Sequence, residues 1–289
     1  MNLDFDFSAG SIPMLVSMPH VGTDIPDDIA AAMAPCALVR ADTDWHLAQL
    51  YGFLREMGAS TIAARWSRYV IDLNRPPEDT NLYPGLDTTG LCPVDTFGRA
   101  PLYQDGRAPG QAEVQRRLDR YWRPYHAQLR AELDRLLALH GKVVLWDAHS
   151  IASRVPRFFD GRLPDLNIGT AQGSSCHPGL EAAVVGVARA QERFSVALNG
   201  RFKGGYITRQ YGQQHGQQDG QQHGQHAAQA DGGGGKAGAG AGVHAIQLEM
   251  CQYLYMDEAE PFGYLPDRAA QVQPLLRALT GAAAGWVRA

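Results

Sequence analysis

Val143-Val144-Leu145-Trp146-Asp147-Ala148-His149-Ser150 carries a fold signal and a chemical one side by side. Its first four residues are apolar without a break, the pattern of a strand covered on both sheet faces. Such strands occur where helices pack above and below a mostly parallel sheet. The polar residues that follow then stand at the carboxyl end of the strand, where open α/β sheets bind their ligands.

The same pattern recurs outward in both directions. Met14-Leu15-Val16-Ser17-Met18, stopped by Pro19, reads as a buried strand, and Thr61-Ile62-Ala63-Ala64 and Tyr69-Val70-Ile71 read as two more. Leu47, Leu50, Tyr51 and Leu54 keep helical spacing after Asp44, a residue suited to cap that helix, and Gly58 ends it. Val114, Leu118, Tyr121, Tyr125, Leu129 and Leu133 line one face of a long helix that Pro124 is placed to kink. Leu166-Asn167-Ile168-Gly169, a helix over 180–190, Phe194-Ser195-Val196-Ala197-Leu198, Ala245-Ile246-Gln247-Leu248-Glu249 and a helix over 269–279 continue the alternation. The expectation is the α/β class, with residues 1–289 forming one three-layer α/β/α domain on a mixed, mostly parallel sheet. Residues 74–109 are rich in Pro, Gly, Asp and Thr, and a loop that long in a compact domain is more often functional than idle.

Composition narrows the function classes. A hydrophobic fraction of 45% over 289 residues is ample for a large core, and a net charge of −4 leaves no footprint for nucleic acid or a membrane surface. Cys36, Cys92, Cys176 and Cys251 are scattered without a CxxC pair, which fits neither a thiolate zinc site nor a disulfide framework and suits a reducing cytoplasm. The first residues, MNLDFDFSAG, are acidic where a signal peptide is basic, and no apolar run approaches the roughly 18–20 residues of a membrane span. Residues 212–242 are Gly, Gln and His repeats with too little apolar surface to order, so they read as a disordered insert. His215, His223 and His226 lie within it, a poor setting for a catalytic site.

Polar groups gather instead at the strand ends. His20 follows the first strand, His149 the strand quoted above, and Glu249 closes a late one. Two histidines and a carboxylate, with a fourth position left for water, make a catalytic zinc set. His20 and His149 are the candidate histidine ligands, and Asp44, Asp42 and Asp24 are the available carboxylates. Asp44 opens a helix, so it reads equally as a ligand and as a plain cap. Glu249 reads as a general base if partly buried and as an ordinary solvated carboxylate if not. Arg68 and Arg75, with Asn74 between them in sequence, suit the bidentate grip of a substrate carboxylate, although surface ion pairs use the same residues. Gly205 and Thr208 offer backbone and hydroxyl contacts in a Gly-rich turn. Ser150 beside His149 raises a metal-free serine hydrolase, yet no Gly-x-Ser-x-Gly elbow accompanies it.

Six motifs together are distinctive. Ser-Met-Pro-His-Val-Gly at 17–22, Ala-Asp-Thr-Asp-Trp-His at 41–46, Asp-Leu-Asn-Arg-Pro at 72–76, Asp-Ala-His-Ser at 147–150, Gly-Arg-Phe-Lys-Gly-Gly-Tyr-Ile-Thr-Arg at 200–209 and Val-His-Ala-Ile-Gln-Leu-Glu-Met at 243–250 resemble N-formylglutamate deformylases. The likeness spans nearly the whole chain outside 212–242. It implies hydrolysis of N-formyl-L-glutamate to formate and L-glutamate, a step of histidine degradation, on a small N-acyl amino acid substrate. It also implies the phosphorylase/hydrolase-like fold of zinc exopeptidases, shared with zinc carboxypeptidases and aspartoacylase-type deacylases. Those relatives carry a glutamate ligand three residues after the first histidine, where this chain has Thr23. Asp44 is therefore the expected third ligand, with zinc the expected ion, His20 and His149 the paired imidazoles and Glu249 the base. Arg68, Asn74 and Arg75 match the relatives' carboxylate-binding segment at a slightly shorter spacing. A deacylase of another N-acyl amino acid and a non-catalytic metal- or carboxylate-binding protein are the competing classes. Deleting 212–242 discriminates the last of these: turnover is expected to survive the deletion, and its loss would assign the tract to the chemistry.

Overall fold

Residues 143–146 lie in the long central strand of a seven-stranded sheet. The computed structural model describes residues 4–212 and 241–289, so the tract expected to be disordered falls almost wholly outside the described residues. In chain order the strands are β1 (Phe5–Ser8), β2 (Met14–Met18), β3 (Ser60–Ala64), β4 (Lys142–Ile151), β5 (Leu166–Gly169), β6 (Val196–Leu198) and β7 (Gly242–Cys251). In space they run β1-β3-β2-β4-β7-β5-β6. The strands β3, β2, β4 and β7 are mutually parallel, while β1 joins β3 and β5 joins β7 in antiparallel register. The sheet is mixed and mostly parallel.

The helices are α1 (Asp27–Ala30), α2 (Leu47–Leu50), α3 (Leu54–Met57), α4 (Gln111–Arg117), α5 (Arg123–His140), α6 (Pro178–Arg189), α7 (Tyr206–Tyr211) and α8 (Pro266–Arg288). Alternate residues of β4 feed two separate cores, as the period of two in a strand requires. Val144, Trp146 and Ala148 pack with Leu180 of α6 and Leu276 and Leu279 of α8. Val143 and Leu145 pack with Tyr125, Leu129 and Leu133 of α5. An unbroken apolar run is what this double coverage demands. Among the described residues no helix is long and apolar enough to cross a membrane.

Three local readings change. Tyr69, Val70 and Ile71 are buried but form a turn, with Val70 N donating to Ser67 O at 2.8 Å. Side chains meet two of their carbonyls instead of a ladder: Arg117 Nη1 donates to Val70 O at 3.0 Å and the Tyr103 hydroxyl to Tyr69 O at 3.5 Å. A short apolar run reports burial, and burial alone does not make a strand. The helix expected after Asp44 divides into α2 and α3, interrupted by a turn at Gly52, whose N–H bonds Gln49 O at 3.1 Å. Asp44 is not the cap of that helix; His46 is, in the left-handed region at φ 59° and without a side-chain cap bond. The long helix is interrupted where expected, but by a π-helical turn over Leu118–Trp122 that precedes Pro124. The wider turn accommodates the proline ring and its missing N–H.

That π turn aligns Trp122 and His126 beneath the segment that carries Asn74 and Arg75. Trp122 Nε1 donates to Arg75 O at 3.1 Å, and His126 Nε2 donates to Leu73 O at 2.9 Å. His126 Nδ1 accepts from the Tyr211 hydroxyl at 2.9 Å, and its ring stacks on Trp122 at 3.7 Å between centroids. Burial lowers this imidazole from 6.5 to about 4, the Leu73 carbonyl and the Asp147 carboxylate opposing only in part. The unfolded chain therefore takes up the proton first on acidification. The resulting stability is complete above 6.5 and is lost between 6.5 and about 4. In denaturant titrations, the stability advantage of wild type over His126→Gln is expected to shrink by about 2 kcal/mol between pH values of about 7.5 and about 5. An advantage that stays constant would place the titration elsewhere.

Candidate active site

The carboxyl ends of β2, β4 and β7 open into one pocket. Pro19 stops β2, and His20 turns in just beyond it. The parallel register of β4 and β7 sets His149 opposite Glu249 and Asp147 opposite Gln247. Residues two apart on a strand share a face, so Asp147 and His149 point the same way, as do Gln247 and Glu249. Asp44 arrives on the 41–46 segment, which is tied to β2 by a bond from Asp44 N to His20 O at 3.0 Å.

His20, Asp44 and His149 are all buried, and one ligand atom from each lies within 4.8 Å of the other two. Asp44 Oδ2 is 3.3 Å from His149 Nδ1 and 3.9 Å from His20 Nδ1. The opposite ring nitrogens face carboxylates: His20 Nε2 is 2.7 Å from Asp72 Oδ1, and His149 Nε2 is 3.1 Å from Asp147 Oδ2. Tetrahedral coordination at zinc distances separates ligand atoms by about 3.4 Å; the Asp44–His149 separation matches that, while the set as a whole, spread over up to 4.8 Å, would draw together around an ion. Metal-bound histidines usually present their second nitrogen to a carboxylate. Both imidazoles here face one, and the Asn74 amide nitrogen lies 2.9 Å from the same His149 Nε2.

Supporting contacts hold the two carboxylates. Arg68 Nη2 donates to Asp72 Oδ2 at 2.6 Å, and Asn74 N donates to Asp72 Oδ1 at 2.9 Å. Asn74 Nδ2 donates to Asp147 Oδ2 at 3.2 Å, an orientation fixed because Asn74 Oδ1 accepts from Ile207 N at 2.8 Å. Thr208 Oγ1 donates to the same Asp147 oxygen at 3.3 Å, while Asp147 Oδ1 is buried without a partner.

These charges shape one another. Burial disfavours charge on His149, yet Asp147 and Asp44 outweigh it and raise the imidazole well above 6.5. Burial and then Arg68 hold His20 below its ordinary value. Burial would lift the Asp72 carboxyl, but His20 and Arg68 keep it well below the usual carboxylate range. For Glu249 burial prevails and pushes the carboxyl up to about 8; His149 and Arg68 pull against it, while Asp44 and Asp147 add to it.

A family model for N-formylglutamate amidohydrolase matches residues 12–223. The chain is 45% identical over 286 residues to the N-formylglutamate deformylase of Pseudomonas putida, covering 99% of this chain and 97% of that one. It is 46% identical over 282 residues to the deformylase of Pseudomonas aeruginosa, covering 98% and 96%. The chain belongs to the N-formylglutamate amidohydrolase family. The crystal structure of N-formylglutamate amidohydrolase from Ralstonia eutropha superposes with a TM-score of 0.77 at 27% identity, covering 99% of this chain and 98% of that one. A gene product of Agrobacterium tumefaciens, at TM-score 0.67 and 18% identity over 100% and 97% of the chains, shares the fold.

Within this amidohydrolase-family site, the sequence candidates separate. Glu249, Arg68, Asn74, Arg75 and Gly205 line the pocket together with His20 and His149. Of the other carboxylates weighed beside Asp44, Asp42 is turned to the Phe97 N–H at 2.8 Å, and Asp24 pairs with Arg65 at 2.7 Å. Thr208 sits behind the pocket, its hydroxyl committed to Asp147. Ser150 lines the pocket but accepts from the Tyr255 hydroxyl at 2.7 Å, and the ring nitrogens of His149 face Asp44, Asp147 and Asn74. Asp72 and Asp147 stand inside the quoted motifs without having been given a role. The two-residue step from Asp147 to His149 along a strand was the available signal for one of them. Arg201 and Gln247 also line the pocket and were missed.

Gly205 serves through closeness. Its N–H donates to Gln247 Oε1 at 2.7 Å, and a Cβ there would lie 2.4 Å from Asn74 Nδ2. Gly205→Ala is expected to displace the Asn74 amide from Asp147 and lower kcat/KM by about 10²-fold, the cost of roughly ångström misplacement in a site, with thermal unfolding little changed. Normal kinetics from a folded Gly205→Ala would show that the Asn74 contact is dispensable.

Proposed function

We propose that this chain hydrolyses N-formyl-L-glutamate to formate and L-glutamate with a divalent ion, zinc by the nature of its donors, held by His20, Asp44 and His149. The observation that carries the reading is the pair of imidazoles, each turning one nitrogen to Asp44 and the other to a buried carboxylate. Two nitrogens and one carboxylate oxygen suit zinc and leave a position open. When bound, such an ion polarises the formyl carbonyl and lowers the pKa of water toward about 7.

The chain's own groups do the rest. Glu249 lies across the β4–β7 register from His149 and faces the same pocket. In its ionised form this carboxylate accepts a proton from the attacking water and returns it to the amine nitrogen as the C–N bond breaks. Arg68, held on Asp72 beside His20, places positive charge where the carbonyl oxygen gains negative charge. Arg75 is bound only weakly within the protein, with Thr89 Oγ1 at 3.4 Å and Asp72 Oδ2 at 3.9 Å, which leaves donors for a substrate carboxylate. Asn74, Gly205 and Thr208 act through Asp147, fixing the orientation of His149.

Purified protein is expected to contain stoichiometric zinc and to release formate from N-formyl-L-glutamate much faster than acetate from N-acetyl-L-glutamate. Chelation abolishes turnover and zinc restores it. His149→Ala loses metal and activity together. Glu249→Gln keeps the metal and loses about 10²-fold or more in kcat; a normal rate from that variant would remove Glu249 from the reaction. Acetate release at a matching rate would favour a broader deacylase, and no turnover of either would favour a binding protein.

A further inference from the structure

Three arginines line the pocket, and they are not equivalent. Arg68 is committed to Asp72 at 2.6 Å. Arg75 keeps only the two long contacts given above. Arg201 has no carboxylate within ion-pair reach among the described residues. Its Nε donates to Phe158 O at 2.8 Å and its Nη2 to Asp87 O at 3.2 Å, so two neutral carbonyls fix the guanidinium without cancelling its charge. Tyr83, Phe158 and Phe202 frame it, with ring centroids 5.5, 5.3 and 5.7 Å from Cζ.

A fixed, uncompensated guanidinium in a partly apolar frame is built to receive an anion. Burial and then the repulsion of Arg75, opposed by Tyr83 and Asp87, bring Arg201 below its ordinary pKa. Arg75, with only its long Asp72 contact, and Arg201, with none to a carboxylate among the described residues, thus line one cavity. Resting on the reading of N-formylglutamate as substrate, we propose that Arg201 binds the side-chain carboxylate of the substrate and sets the preference for a dicarboxylate.

The division of labour follows from substrate length. The scissile amide is attached to the α-carbon, so the α-carboxylate is the nearer anion and the side-chain carboxylate the farther one. Arg75 lies within 3.9 Å of Asp72, the carboxylate that backs His20, and takes the nearer group. Arg201, held by the loops carrying Asp87 and Phe158, takes the farther.

The test compares N-formyl-L-glutamate with N-formyl-L-glutamine, which differ only at that distal group, a carboxylate in one and a neutral amide in the other. Arg201→Met is expected to lower kcat/KM for the glutamate substrate by about 10²-fold, mainly through KM, the scale of removing one partner of a desolvated charge pair. Turnover of the glutamine substrate stays near the wild-type value, so the preference collapses. Arg201→Lys restores part of it. Calorimetry with L-glutamate against L-glutamine gives the same comparison if the amide substrate turns over too slowly to read. Equal losses on both compounds would reduce Arg201 to a strut between the Phe158 and Asp87 carbonyls and overturn the proposal. An unchanged preference would overturn it too. Wild-type protein that releases formate from neither compound would instead sink the proposed function on which this assignment rests.

Discussion

Two imidazoles buried side by side, with ring centroids 4.8 Å apart, need partners for their ring nitrogens, and the rest of the site is arranged around that requirement. Asp72 backs His20 and Asp147 backs His149, while Asp44 lies between their remaining nitrogens. Burying this many charges is costly unless each is paired and hydrogen-bonded. Arg68 and the Asn74 backbone serve Asp72; the Asn74 amide and the Thr208 hydroxyl serve Asp147. Asp147 Oδ1 is buried there without a hydrogen-bond partner.

The sheet makes the arrangement rigid. β4 and β7 pair along their whole length, from Lys142 opposite Gly242 to Ile151 opposite Cys251, and carry His149 and Glu249 at matched positions. Asn74 connects this frame to the loop region, since its amide touches Asp147 and the α7 backbone at once. Trp122 and His126 hold the flanking carbonyls of Leu73 and Arg75 from below. The π turn before Pro124 is thus coupled to the placement of Arg75, an arginine that lines the pocket.

Much of this was legible in the sequence because it rests on periodicity and strand ends. Residues 143–146 announced a doubly covered strand, and Pro19 and the polar residues after it marked where β2 delivers His20. The misread parts share a cause. Residues 69–71 are buried in the core on the α5 side, with the Val70 carbonyl met by Arg117, and nothing in a three-residue apolar run separates that from a strand. The cap assigned to Asp44 is locally reasonable, but its carboxylate is claimed by contacts more than a hundred residues away in sequence, at His149. Asp72 and Asp147 lay inside recognisable motifs, yet their service to the imidazoles is a tertiary fact. Arg201 escaped notice because an arginine held by backbone carbonyls leaves no charge partner in the pattern. The short antiparallel edge strand β1 also went unread, its alternation being only four residues long.

The proposed chemistry depends on one ion joining residues 20, 44 and 149. The most direct measurement is anomalous diffraction at the zinc edge from crystals of the metal-loaded protein. It should place a single strong peak at about 2.0–2.2 Å from Nδ1 of His20, Nδ1 of His149 and a carboxylate oxygen of Asp44. A peak that touches only one of those imidazoles, or that sits on other side chains altogether, would contradict it.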